Sequence, residues 1–209
     1  EQVEKPEKNK FVGTYYTSDE VNQLISLTKG TKLEIAVIFA CFYGLRRGEC
    51  VGLRWSSFDF ENNIFHINHT VVLISVNGKR TLVTKDAAKT NATIRSMPLS
   101  ADIKKRLLEI KYIQDNNKKR RKKNYNNQWS DYLMVTENGD LISPDYVTDA
   151  FRRLIKKNKM RHIRFHDLRH TCASLLLNKG KGKVTMKDIQ EWLGHSDYKT
   201  TANIYAHLD

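Results

Sequence analysis

The chain has 209 residues, 40% of them hydrophobic, enough apolar material to close a core in one large domain or two small ones. Its 36 Lys and Arg against 23 Asp and Glu leave a net charge of +13, so the partner to expect is a polyanion, nucleic acid ahead of anionic membrane. No apolar run reaches the roughly 20 residues that cross a bilayer and no signal-peptide pattern opens the chain, which argues against a membrane protein and predicts a soluble, intracellular one.

The opening EQVEKPEKNK is charged and poor in apolar residues. It predicts a linker over residues 1–12 leading from a partner domain upstream, with the folded domain occupying 13–209. Thr17-Ser18-Asp19-Glu20 supplies a helix cap and an acidic first turn, and Val21, Leu24, Ile25 and Leu27 follow at helical spacing. A second helix is expected from Leu33 to Tyr43. Gly44 interrupts the pattern before Leu45-Arg46-Arg47-Gly48-Glu49, and Cys50, Val51 and Leu53 resume it, so the two arginines fall at a helix-to-helix turn. Cys41, Cys50 and Cys172 are odd in number, lack C-x-x-C spacing and sit in apolar or helical surroundings, as core thiols do.

From Asn62-Asn63 the pattern changes to short strands: Ile64 and His66, Val71 to Val76, a turn at Asn77-Gly78, Lys79 to Val83, and Thr93 to Leu99. Lys85 to Asn91 lies between two of these strands as a polar hairpin tip or its flank, and carries Lys89. Ala101 to about Lys119 reads as a helix running into the cations Lys118, Lys119, Arg120, Arg121, Lys122 and Lys123, a solvated surface and a candidate contact to DNA phosphates. Ser143-Pro144-Asp145 opens a further helix, and helices follow over about His166 to Asn178, Thr185 to Leu193 and Thr200 to Tyr205. The fold class is therefore mixed α/β (α+β), mostly helical with a small antiparallel sheet.

The segment Arg164-Phe165-His166-Asp167-Leu168-Arg169-His170-Thr171 places His166, Arg169 and His170 within one and a half helical turns. Its residues alone leave three readings open: a metal site, a helix start with incidental histidines, or the handling of a charged group. Zinc hydrolases use this histidine spacing with a glutamate after the first histidine, whereas Asp167 stands there and an arginine intervenes, so no metal is expected. Near the C-terminus Leu193-Gly194-His195-Ser196 precedes Thr200-Thr201-Ala202-Asn203-Ile204-Tyr205.

Taken together and in this order, Arg46, Lys89, His166, Arg169, His195 and Tyr205 resemble the catalytic set of the tyrosine recombinases, or phage-type integrases. The likeness runs from the Thr17 helix to Tyr205 and is greatest to integrases of bacterial conjugative transposons and phages. It implies the catalytic-domain fold of that family and a site-specific recombinase without cofactor that integrates or excises a mobile element. Its partners would be double-stranded DNA at attachment or transposon-end sites, three further copies of the full-length protein in a homotetramer on DNA, and DNA-bending accessory proteins, in the bacterial cytoplasm. Tyr205 would attack a DNA phosphate and leave a 3′-phosphotyrosine. A free tyrosine of pKa about 10 is ionised only on the order of 0.1% at neutral pH, so His166 is implied as proton acceptor. Arg46 and Arg169 would bind the phosphate, His195 would donate to one of its oxygens, and Lys89 would protonate the departing 5′-oxygen. Glu49 would orient the site from behind Arg46. His170 reads as a structural brace. A type IB topoisomerase shares this chemistry, and a DNA-binding module without catalysis shares the charge.

Overall fold

The structure is a computed structural model and describes residues 14–86, 95–180 and 182–194. Helix α1 (Ser18–Thr28) starts where the sequence places it: Thr17 accepts from the Glu20 amide, and the Glu20 carboxylate accepts from the Thr17 amide at 2.7 Å. Helix α2 (Glu34–Tyr43) is apolar all round, and nearly every residue from Ile35 to Tyr43 is buried. Such a helix gives little but Phe42 to water, and it becomes the central pillar packed by α1, by α3 (Arg47–Val51) and by α6 (Asp167–Gly180).

Two small antiparallel sheets replace the single sheet expected. Strands β1 (Phe58–Asp59), β2 (Ile64–Ile67) and β5 (Arg95–Pro98) form one, in the order β1-β2-β5. The hairpin β3 (His69–Val76) and β4 (Lys79–Asp86) forms the other, turning at Asn77-Gly78 with both residues at positive φ. The three-stranded sheet packs on α2 through a ring cluster in which Phe39 meets Phe65 at 5.3 Å and Phe65 meets Tyr43 at 4.8 Å between centroids. Strand β4 pairs with β3 and β5 with β2, and residues 87–94, on which most of the hairpin tip or flank expected over Lys85 to Asn91 falls, lie outside the described residues. Lys85 itself belongs to β4.

Among the described residues the remaining α-helices are α4 (Ala101–Arg121), α5 (Pro144–Lys157) and α7 (Met186–Leu193), and the helix expected over Thr200 to Tyr205 lies outside them. Helix α4 buries only Leu107 fully. It is tied down instead by Arg106, whose Nη2 donates to buried Glu34 at 2.8 Å, and by Gln114, which accepts from the Trp55 indole at 2.9 Å. Helix α7 packs on α6, and Trp192 stacks on Tyr43 at 6.0 Å with ring planes 9° apart. Cys41, Cys50 and Cys172 are buried reduced thiols, as expected, and burial raises the thiol pKa of Cys172 to about 12.

Candidate active site

Helix α3 sets the first arginine. Gly44 ends α2 in the left-handed conformation at φ 65°, and a Cβ there would stand 2.2 Å from Leu193 Cδ2. Gly48 and Gly52 then bring α3 onto β3: a Cβ on Gly48 would lie 2.7 Å from the Val71 carbonyl oxygen, and one on Gly52 2.7 Å from that of His69. Only glycines at this i, i+4 spacing let helix and strand backbones approach so closely. Arg47 turns to α5, donating to Thr148 at 2.8 Å and to Asp145 at 3.2 Å. Arg46 turns the other way.

Arg46 caps α3, and Glu49 holds it at two points, accepting from the Arg46 amide at 2.8 Å and from its guanidinium at 2.9 Å. The same carboxylate accepts from Arg95 at 2.9 Å. Burial works against the Glu49 carboxylate, but Arg95, the Arg46 amide and the Arg46 charge outweigh it and hold the group below its usual range. Glu49, the residue expected to orient the site, thus stands between two guanidinium groups, one of which the sequence did not suggest.

Arg169 enters from α6 and is 1% exposed. It donates to the carbonyl of Gly44 and, at 2.6 Å, to that of Leu193. Burial first, then the charges of Arg46 and Arg95, push its guanidinium down to about 9, so it keeps its proton at neutral pH. Arg95 also donates to the carbonyls of Leu193 and Trp192, and Arg46 reaches that of Gly194 at 3.4 Å. Three arginines from α3, β5 and α6 therefore converge on the C-terminal end of α7, where the backbone carbonyls and the helix dipole supply partial negative charge. Gly194, left-handed at φ 65°, turns the chain there, and a Cβ on it would stand 2.7 Å from Arg95 Cδ.

His166 stands one residue before α6 and is exposed, while Arg169 lies inside. Although only three positions apart, the two residues thus divide between surface and interior. Partial burial of the ring, followed by the Arg169 charge, holds the imidazole of His166 below its ordinary value. His170, 7% exposed, packs edge-to-face against it at 5.5 Å between centroids, which fits a brace. Asp167, the residue in the position of the zinc hydrolases' glutamate, is engaged by Arg164 through its side chain at 2.7 Å and its amide at 2.7 Å. Lys89, His195 and Tyr205 lie outside the described residues. The cations Lys118 to Lys123 end α4 and a short 3-10 turn, and Arg121 donates to Glu137 at 3.2 Å; the run is a separate surface from the arginine cluster.

Arg95 is the participant that sequence reading missed. The signal was present: on a strand, Arg95 shares the inward face of buried Met97, and a cation at an inward position demands a carboxylate.

Comparison with known proteins adds the family to this geometry. The profile of the phage integrase family matches residues 14–209. A tyrosine recombinase XerC-like protein of Caldanaerobacter subterraneus is 29% identical over 198 residues, covering 92% of this chain and 50% of that protein. The transposase of transposon Tn916 from Enterococcus faecalis is 27% identical over 207 residues, covering 93% of this chain and 48% of the relative. The chain thus spans about half the length of the curated relatives it matches. Among solved structures, the Tn1549 transposon integrase in complex with transposon right end DNA superposes with a TM-score of 0.74 at 23% identity, over 96% of this chain and 64% of that one. The XerA recombinase superposes with a TM-score of 0.70 at 22% identity, over 95% and 62%. On the family profile, which spans nearly all of the sequence, the chain belongs to the phage integrase family.

Proposed function

We propose that this chain is the catalytic domain of a site-specific tyrosine recombinase that cuts and rejoins DNA strands to integrate or excise a mobile element. The observation that carries the reading is the convergence of Arg46 and Arg169 beside the turn at Gly194, one residue before His195. Three guanidinium groups gather around one carboxylate, Glu49, which accepts from Arg46 and Arg95, and this leaves an excess of positive charge held in place by backbone carbonyls before any ligand arrives. A phosphodiester gains charge on its non-bridging oxygens as it is attacked, and fixed donors of this kind need no reorganisation to stabilise it.

In the proposed reaction the Tyr205 oxygen bonds to phosphorus, its proton passes to His166, and the bond from phosphorus to the 5′-oxygen breaks. Lys89 gives that oxygen a proton, and His195 donates to a phosphate oxygen. The products are a 5′-hydroxyl and a 3′-phosphotyrosine, with no metal or cofactor in the balance. Reversal with a different 5′-hydroxyl exchanges strands, and the full-length protein would do this as a tetramer on paired attachment sites, with DNA-bending proteins assisting. Residues 1–12 fit a linker from an upstream domain that completes the grip on DNA, and the transposon right end DNA in the Tn1549 integrase complex supports the choice of ligand. Among the described residues no helix is long and apolar enough to cross a membrane.

The test is covalent trapping. The full-length protein on a nicked duplex carrying its recombination site should form a protein-DNA adduct, and Tyr205→Phe should bind equally well and form none. An adduct that persists in the variant removes Tyr205 as nucleophile, and binding with no adduct in the parent leaves only a DNA-binding module. Relaxation of any supercoiled plasmid without recombinant product would favour a topoisomerase.

A further inference from the structure

The open end of the β3-β4 hairpin carries a buried polar chain that the proposed chemistry does not use. His69 and Asp86 are directly opposed across the ladder, and His69 Nδ1 lies 2.7 Å from Asp86 Oδ1. On its other side His69 Nε2 lies 2.8 Å from the Tyr132 hydroxyl. Arg54 donates to the same Asp86 oxygen at 3.0 Å. His69 is 7% exposed and Tyr132 8%, whereas Asp86 faces solvent. Burial holds the imidazole below its ordinary pKa, ahead of the opposing pull of Asp86. Neutral His69 then donates from Nδ1 to the Asp86 carboxylate and accepts at Nε2 from the Tyr132 hydroxyl, the one tautomer that satisfies all three groups.

The anchors of this chain are rigid. Leu133 donates its amide to the Leu53 carbonyl at 3.0 Å, and the Trp55 amide donates to the Asp131 carbonyl at 2.6 Å, so Tyr132 and Arg54 sit on segments stitched together by backbone. Arg54 follows α3, the helix that Arg46 caps, and Gly52, which ends that helix, lies so close to β3 that a Cβ on it would stand 2.7 Å from the His69 carbonyl oxygen. Asp86 is the last residue of β4 and precedes Lys89 by three positions. A surface aspartate fastened by one buried histidine and one arginine fixes the point at which the chain leaves the sheet.

We infer that His69, Asp86, Arg54 and Tyr132 are positioning residues that tie the exit of β4 to the α3 body and so set the approach of Lys89 to the leaving oxygen. This inference rests on the assignment of Lys89 as the general acid. It predicts a defect confined to one step, because displacement of a general acid slows departure of an alkoxide and leaves the arginine cluster intact.

Replacing the bridging 5′-oxygen of the scissile phosphate with sulfur isolates that step, since a thiolate departs without a proton. With the full-length protein on nicked DNA, Asp86→Ala should slow adduct formation about ten- to hundredfold on the oxygen substrate, the range expected for misplacing a reacting group by about 1 Å. On the sulfur substrate it should return to within about threefold of the parent, as Lys89→Ala should, while Arg46→Ala should stay slow on both. Asp86→Asn, which can still accept from His69 and Arg54, should recover most of the rate on oxygen, and Tyr132→Phe should show a smaller defect of the same kind. Equal slowing of Asp86→Ala on both substrates, or no slowing on either, overturns the positioning role. If Lys89→Ala is itself not restored by sulfur, the assignment of Lys89 fails, and the proposed route of Asp86 fails with it; restoration of Lys89→Ala alone leaves Lys89 standing and removes Asp86.

Discussion

Two cation-rich regions of this chain carry their charge in opposite ways. At the end of α7, Arg46, Arg95 and Arg169 come from segments far apart in sequence and are held by Glu49 and by the carbonyls of Gly44, Trp192, Leu193 and Gly194. At the end of α4, Lys118 to Lys123 are consecutive in sequence and almost wholly in water, with Arg120 and Arg121 sharing only Glu137. The first region has fewer charges and far more constraint. Desolvation makes each of its hydrogen bonds matter and fixes where each guanidinium points, whereas the second attracts anions with a strength that salt screens. Catalysis needs the former and encounter with DNA needs only the latter.

The largest expected effect breaks the constrained region at its centre. Arg169→Met removes the donors to two buried carbonyls, so it should lower stability by about 2–4 kcal/mol in urea unfolding, in the range for losing hydrogen bonds to a buried charged group. It should also abolish the covalent adduct. Arg169→Lys, which keeps the charge but loses the planar fork, should regain part of the stability and little of the adduct. If Arg169→Met unfolds at the same urea concentration as the parent, the cluster is not the structural keystone its burial indicates.

A subtler measurement tests whether desolvation is the cause of that constraint. Burial first, and the neighbouring His166 next, push His170 down to about 4 from the ordinary 6.5. Its folded value lies below its unfolded value, so between pH 6.5 and 4 the unfolded chain takes up a proton that the folded chain refuses. Stability from this group is therefore complete above that window and falls as the pH falls through it. His170→Gln should reduce the stability lost between pH 7.5 and pH 5 by on the order of 1–2 kcal/mol relative to the parent. The shifts of His69 and His166 run in the same direction and are common to both proteins, so parallel losses would show that His170 is not kept neutral by burial.

What the sequence disclosed follows the same division between local and distant causes. The Thr17 capping box, the apolar run of α2, the Asn77-Gly78 turn and the Ser143-Pro144 helix start are dictated by neighbours within a few residues, and all appear where the pattern places them. Glu49 was legible as a partner of Arg46 because three residues separate them in one helical turn. The partners of Arg95 were not, although its inward parity with Met97 was, because they lie in α3 and at the end of α7 and no spacing records them. The same holds for His69, whose inward parity with Val71 marks it as buried but says nothing of Tyr132. That β4 pairs with β3 and β5 with β2, in two sheets and not one, was not legible either, because strand alternation does not say which strands pair.

The smallest effect is expected at the solvated run, and it separates binding from chemistry. Changing Lys118, Lys119, Lys122 and Lys123 together to Gln leaves the Glu137 pairs in place and touches no buried group, so stability should stay within about 0.5 kcal/mol of the parent. If the run touches DNA, the log-log dependence of affinity on salt should become shallower by about 0.9 for each phosphate no longer neutralised. The rate of adduct formation at saturating DNA should not change, because none of these side chains belongs to the arginine cluster. An unchanged salt slope would make the run a solubilising surface; a slower adduct at saturation would mean that the loosely held cations contribute to the chemistry after all, and that constraint is not what divides the two regions.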